Sequence, residues 1–186
     1  MTLRVSVLIP VRDAEATLAA SLRSVSRQRV RELECVVVDD GSRDASLAIA
    51  RAHARRDARF RVIAEPARGI VPALSRGLAE CRAPLVARHD ADDCMHRDRL
   101  ALQLAALAES PALAGVGCHV RMFPRSALGP GMRDYERWLA SVRSAADVRR
   151  EAFVEYPLAH PTLVLRREVL VAVSYTHLTL PTILRV

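Results

Sequence analysis

At 186 residues, with 51% hydrophobic and 26% charged residues, the chain has the material for one domain with a sizeable core. No apolar run approaches the roughly 20 residues that cross a bilayer, and MTLRVSVLIPVRD meets a proline and two charges before any small-residue cleavage site, which predicts no secretory leader. The net charge of +7 comes from 28 basic residues that are all Arg, but only 4% of residues are aromatic and none interleaves with the arginines as a base-stacking platform, so nucleic acid is set aside as a partner.

In chain order, short β-branched runs alternate with longer amphipathic stretches, the pattern of a mostly parallel sheet flanked by helices. Strands are predicted at Val5–Ile9, Glu34–Val38, Phe60–Ile63, Leu85–Arg88 and Gly115–Val120; several are apolar at consecutive positions, as when both sheet faces are buried. Leu18, Leu22 and Val25 share one helical face, and so do Leu100, Leu104 and Leu107. Ser42 or Asp44 is a candidate cap for a helix carrying Leu47 and Ile49, and a third helix spans Val71–Ala79. After Val120 comes a Pro/Gly-rich connection, then a helix over Met132–Ala146 with Tyr135, Trp138 and Val142 on one side, then a short strand over Pro161–Arg166. The four cysteines, in or beside strands without CxxC spacing, are expected to be buried free thiols, which favours a cytoplasmic setting.

Right-handed crossovers put the carboxyl ends of the strands on one rim, which collects Pro10–Asp13, Asp39–Asp44, Glu65–Gly69 and His89–Asp93. In His89-Asp90-Ala91-Asp92-Asp93, three carboxylates crowd within four residues, an arrangement relieved by a divalent cation; hard oxygens without thiol or imidazole partners favour Mn2+ or Mg2+. Asp92 or Asp93 capping the next helix explains the same residues. Asp39-Asp40-Gly41-Ser42 offers acceptors for a base or ribose, or simply an Asp cap with a Gly turn. No G-x-G-x-x-G, Walker loop or G-x-S-x-G elbow is present, which argues against dinucleotide, P-loop and hydrolase chemistry.

VSVLIPVRDAEATLAASLRSV, VVVDDGSRD and EPARGIVPALSRGLAECRAPLVARHDADD, together spanning roughly Val5 to Leu107, resemble the inverting glycosyltransferases of family 2. FVEYPLAHPTLVLRREVL resembles, more weakly, the segment before the acceptor side in bacterial members acting on cell-surface polysaccharide. The resemblance implies a Rossmann-like nucleotide-diphospho-sugar transferase fold (GT-A), incomplete at the carboxyl end, and a metal-assisted transfer from a nucleotide-sugar donor, a UDP-sugar first, to a glycan or lipid-linked acceptor. It implies that Pro10 and Val11 line the base pocket, Asp39 holds the base, Asp40 supports that turn or the ribose, and Arg68 faces the nucleotide or diphosphate. Asp90 would contact the ribose or the metal and Asp92 the metal. Val11 as plain core and Arg68 as a solvated loop residue are the ordinary alternatives.

No catalytic carboxylate is found where the resemblance calls for one. His160, which Pro161 should hold extended, is a candidate for acceptor or phosphate contact and a weak candidate base. Residues 1–173 are expected to form the donor-binding domain; SYTHLTLPTILRV, 174–186, contains no Ala and three of the six Thr, and is expected to be a non-native tail resembling sequencing-adapter read-through, leaving a fragment that binds donor without efficient turnover. Competing classes are a sugar nucleotidyltransferase and a non-catalytic interaction module. The arginine-rich surface leaves peripheral association with the inner face of the cell membrane open.

Overall fold

A computed structural model describes residues 2–153 and 155–173. The elements are β1 (Val5–Val11), α1 (Leu18–Ser26), β2 (Leu33–Asp40), α2 (Ser46–Ala54), β3 (Phe60–Glu65), α3 (Ile70–Glu80), β4 (Leu85–Arg88), α4 (Arg99–Glu109), β5 (Gly115–Val116), α5 (Pro130–Ser141), α6 (Ala145–Glu151), β6 (Val164–Arg166) and α7 (Arg167–Val173). They build one sheet ordered β3-β2-β1-β4-β6-β5, parallel from β3 to β4, with β6 antiparallel to both β4 and β5. The expected mostly parallel α/β architecture is thus observed.

Alternation along β1 divides the core between two layers. Val5, Val7, Ile9 and Val11 pack with Leu18, Leu22 and Val25 of α1, Ala50 of α2 and Leu100, Leu104 and Leu107 of α4. Leu8 joins Val36, Val38, Leu74, Leu78 and Leu170 on the opposite face. There α3 approaches closely because Gly77 has no side chain: a Cβ would come within 2.9 Å of Val38 Cγ2.

Both leading strands run two residues beyond their predicted ends. The ladder pairs Val11 with Asp39, Asp39 with Ala64 and Asp40 with Glu65, so the first acidic pair sits inside the sheet rather than in a loop. Elsewhere the prediction is corrected. The fifth strand stops at Val116, whose carbonyl accepts from Gln103 Nε2 (3.3 Å). The single helix expected over Met132–Ala146 is two: Val142 is buried with an extended backbone, and Ser144 with Asp147 forms a capping box that starts α6. Pro161 lies in a 3-10 turn, His160–Thr162, so His160 is not extended and the last strand begins only at Val164. Ala45, not Ser42 or Asp44, occupies the amino cap of α2. Asp98 occupies that of α4, which removes the capping explanation for Asp92 and Asp93. Cys35 and Cys81 are buried as expected, but Cys118 is half-buried and Cys94 exposed. Among the described residues no helix is long and apolar enough to cross a membrane. The segment 174–186 lies outside the described residues.

Candidate donor-binding site

A cleft of about 390 Å3 opens at the carboxyl ends of β1 and β4, lined by Pro10, Val11, Arg12, Asp13, Ala14, Thr17, Asp40, Gly69, Ile70, Ala73, Asp90, Ala91 and Asp92. One wall is fixed by Asp40. Its carboxylate accepts from the backbone N–H of Arg68 (2.7 Å) and of Gly69 (2.9 Å), and from Arg12 Nη1 (3.2 Å). Burial alone raises its pKa, but these donors outweigh burial and hold the carboxyl below the usual range. Gly41, at φ 67°, completes the wall: a Cβ there would lie 2.7 Å from the Ala67 nitrogen, so only glycine lets the two loops meet.

The loop after β1 is laced to the loop after β2. Asp13, at φ 46°, accepts from Arg43 N (2.7 Å) while its own N–H donates to Ser42 Oγ (3.1 Å). Glu15 N donates to Asp44 Oδ2 (2.9 Å), and Ala45 N donates back to Glu15 Oε2 (3.0 Å). Asp39 lies just behind this wall, 2% exposed; its Oδ2 accepts from Ser42 N (3.2 Å), and its buried Oδ1 has no hydrogen-bond partner among the described residues. A buried acceptor without a donor is uncommon in a finished structure and marks a place for a ligand N–H or water.

The opposite wall is the acidic turn after β4. Asp93 N donates to the Asp90 carbonyl (3.2 Å), Ser21 Oγ donates to the same carbonyl (3.1 Å), and Arg88 Nε lies 3.3 Å from Asp90 Oδ1. Asp92 is exposed. Asp93 is pulled up to about 6, by burial first and then by the charges of Asp90 and Asp92. Beneath it His89 is 1% exposed, neither ring nitrogen has a hydrogen-bond partner among the described residues, and burial, with the Arg99 charge second, pushes it down to about 3. Its imidazole is therefore neutral. His160 is exposed and sits against Tyr156 with ring centroids 4.4 Å apart and the planes tilted by 47°; partial burial lowers its pKa, with Arg88 acting in the same direction and Asp90 against it.

Pro10, Val11, Asp40, Asp90 and Asp92 are therefore brought to one cleft, and Val11 is core (2% exposed) as well as lining. Asp39 and Arg68 are not in the lining, and Arg68 enters the wall through its backbone while its side chain is exposed. The sequence reading put Arg12, Asp13 and Gly69 on this rim but gave them no part in the site; a charged pair at the end of the first strand was the available signal for the first two. Among the described residues no three or more His, Cys, Asp or Glu side chains cluster as a complete metal site. Asp90 and Asp92 lining one cleft, with the Asp93 carboxyl raised by burial and by their charge, fit a cation whose remaining ligands come from a bound phosphate or water.

The mixed sheet with helices on both faces is the GT-A-type fold of solved glycosyltransferases. A mannosyltransferase from Pyrobaculum calidifontis, solved with GDP-Man and Mn2+, superposes with a TM-score of 0.73 at 23% identity over 94% of this chain and 47% of that one. Glucosyl-3-phosphoglycerate synthase from Mycobacterium tuberculosis, solved with Mn2+, UDP and glucosyl-3-phosphoglycerate, gives 0.64 at 25% identity over 90% of this chain and 58% of that one. The chain belongs to glycosyl transferase family 2, whose model matches residues 6–173. Its relatives include glycosyltransferase EpsJ of Bacillus subtilis (strain 168), 32% identical over 61% of this chain and 33% of that protein, and chondroitin synthase of Escherichia coli, 30% identical over 60% and 16%. The chain spans a third or less of the length of these two relatives.

Proposed function

We propose that this chain binds a nucleoside-diphosphate sugar in the cleft between Asp40 and Asp92, a UDP-sugar first, and that the protein transfers the sugar with inversion to a glycan or lipid-linked acceptor at the cytoplasmic side of the cell envelope. The observation that carries the reading is the convergence of Asp90 and Asp92 on the cleft whose other wall is pinned by Asp40, with the unpartnered Asp39 Oδ1 behind it. The two solved neighbours hold a nucleotide and Mn2+, which supports the same assignment here.

In this reading Pro10 and Val11 pack on the base, and Asp39 accepts from a base N–H. Asp40 keeps the turn at Gly69 in place, and Arg68 faces the nucleotide or diphosphate. Asp90 contacts the ribose or, with Asp92, holds Mn2+ or Mg2+. The cation supplies positive charge against the diphosphate as it leaves the anomeric carbon. We assign no carboxylate base. His160, held below the usual histidine value beside Arg88 and Asp90, is the candidate for contact with the acceptor or a phosphate. Residues 1–173 are assigned the donor-binding part, and 174–186 no part of the site.

Calorimetric titration of the folded chain with UDP, with and without Mn2+, tests the reading. Metal-dependent binding is expected, weakened at least roughly tenfold in Asp92→Asn. Binding that ignores both the metal and this substitution removes Asp92 from the site. Release of pyrophosphate from a nucleoside triphosphate and a sugar phosphate would identify a nucleotidyltransferase instead.

A further inference from the structure

The outer flank of α1 carries a second, basic groove. Burial of Leu18, Leu22 and Val25 turns Arg23 outward, and Arg27, at the carboxyl cap, and Arg31 remain exposed beyond it. The segment Cys94–Arg97 is fastened alongside: Met95 N donates to Ser24 Oγ (2.9 Å), Gln28 Nε2 to the His96 carbonyl (2.8 Å) and Arg29 N to the Arg97 carbonyl (3.1 Å). Between helix and segment lies a groove of about 890 Å3, walled by Arg23, Arg27, Arg31 and Arg97.

Among the described residues no carboxylate pairs with Arg23, Arg27 or Arg31. Asp98, at the groove's end, is engaged by Arg29 Nε at 2.8 Å and lies 3.8 Å from Arg97 Nε. A helix carboxyl terminus favours basic side chains, which accounts for Arg23 and Arg27. It does not account for Arg31 and Arg97, which lie outside the helix. Four guanidinium groups around one groove repel one another, and each presents a planar donor fork suited to phosphate oxygens. No Phe, Tyr or Trp lines the groove, so it offers nothing on which a nucleic-acid base could stack. The arginines are strung along a helix flank and an adjoining segment, a spread that suits several headgroups in a surface better than one ion.

We propose that this groove is a docking surface for anionic phospholipid headgroups at a membrane. The acidic turn of the donor cleft runs directly into it, since Cys94 follows Asp93 and Ser21 of the same helix holds the Asp90 carbonyl. A docked chain would therefore keep the cleft beside the lipid surface. The surface requires no nucleotide, so its failure leaves the donor-site reading untouched.

Co-sedimentation with phosphatidylcholine vesicles, with and without phosphatidylglycerol, tests the proposal. Binding is expected only to the anionic vesicles and is lost in high salt. At about fivefold per arginine near a charged surface, Arg23→Gln with Arg27→Gln lowers the partition roughly twenty-five-fold. Arg121→Gln with Arg137→Gln removes the same total charge from exposed positions elsewhere and leaves binding near wild type. Equal loss in both double variants, with unchanged circular dichroism, overturns the groove in favour of a diffuse charge effect. Saturable binding of inorganic phosphate, abolished by the first pair and unaccompanied by vesicle binding, overturns the lipid assignment in favour of a soluble phosphate ligand. Tighter binding to single-stranded RNA than to vesicles overturns it equally.

Discussion

The segment from β1 to α4 and the segment after Val116 belong to one sheet but are built differently. In the first, every residue of β2 and all but Pro10 of β1 are buried, helices cover both faces, and the rim loops are tied to one another by side chains. In the second, the strands are two and three residues long, α5 buries only Leu139, α6 buries none, and Phe153 is 92% exposed. The difference teaches where the stability lies. The donor cleft is set on the densely tied segment, and the later one joins it through β6, which pairs with β4, and adds Leu163, Val164 and Leu165 to the core.

Truncating one buried side chain in each segment gives the largest contrast. Ile9→Ala, at a position without solvent exposure between α1 and β2, is expected to cost about 3–4 kcal/mol. Leu139→Ala, where neighbours can collapse into the space or admit water, is expected to cost about 1–2 kcal/mol. Urea denaturation reads both, and equal costs would break the comparison. Next comes Asp40→Ala, which strands the N–H groups of Arg68 and Gly69 and frees Arg12; a loss of about 2 kcal/mol is expected, with weaker UDP binding because the Gly69 turn loosens. Unchanged affinity would mean that this turn does not touch the nucleotide.

The same contrast explains what the sequence disclosed. Strands buried on both faces leave consecutive β-branched residues, and helices on one face leave Leu at three- and four-residue spacing, so the first segment was legible nearly to its boundaries. Asp39 and Asp40 read as a loop because propensity carries no record of a ladder partner; pairing with β3 extended the strand through them. In the second segment the Ser144/Asp147 box was visible in principle, but a continuous apolar stripe through Val142 concealed the break. Of the site, the acids that line the cleft were legible as types at strand ends. The parts played by Arg12 and Gly69 were not, although both were placed on the rim, because they depend on hydrogen bonds to Asp40, which is remote in sequence from both loops that it joins.

Acid sharpens the comparison further. Asp57, tied to Arg59 and to the Ser26 hydroxyl (2.9 Å), is lowered to about 2, chiefly by the Arg59 hydrogen bonds. Because the folded pKa lies below the unfolded value near 3.9, its stabilisation is present above about pH 4 and disappears as pH falls through about 2. Allowing for partial exposure, about 1–2 kcal/mol is at stake. Asp57→Asn is expected to be less stable than wild type at neutral pH and to converge with it near pH 2, read by thermal melting. Ser26 Oγ also lies 2.9 Å from His53 Nε2, but its hydroxyl donates to Asp57, so the trio is a structural tie between α1 and α2 rather than a nucleophile with its base.

The smallest effect is a rate. Cys94 is exposed and is expected to react with a thiol reagent in the native chain. Cys118 is half-buried, with its thiol pushed up by burial, and lies in the loosely built segment. Cys35 and Cys81 are buried, the first raised well above the ordinary thiol range by burial and the second to about 12, so each waits for an opening of the core. In mild denaturant the expected order of modification is Cys94, then Cys118, then Cys35 with Cys81, measured by mass spectrometry against time. A gap between Cys118 and Cys35 that closes as denaturant rises identifies a sub-global opening confined to residues after α4. Coincident rates at every concentration would mean that β6 locks the second segment to the first so firmly that the two unfold as one.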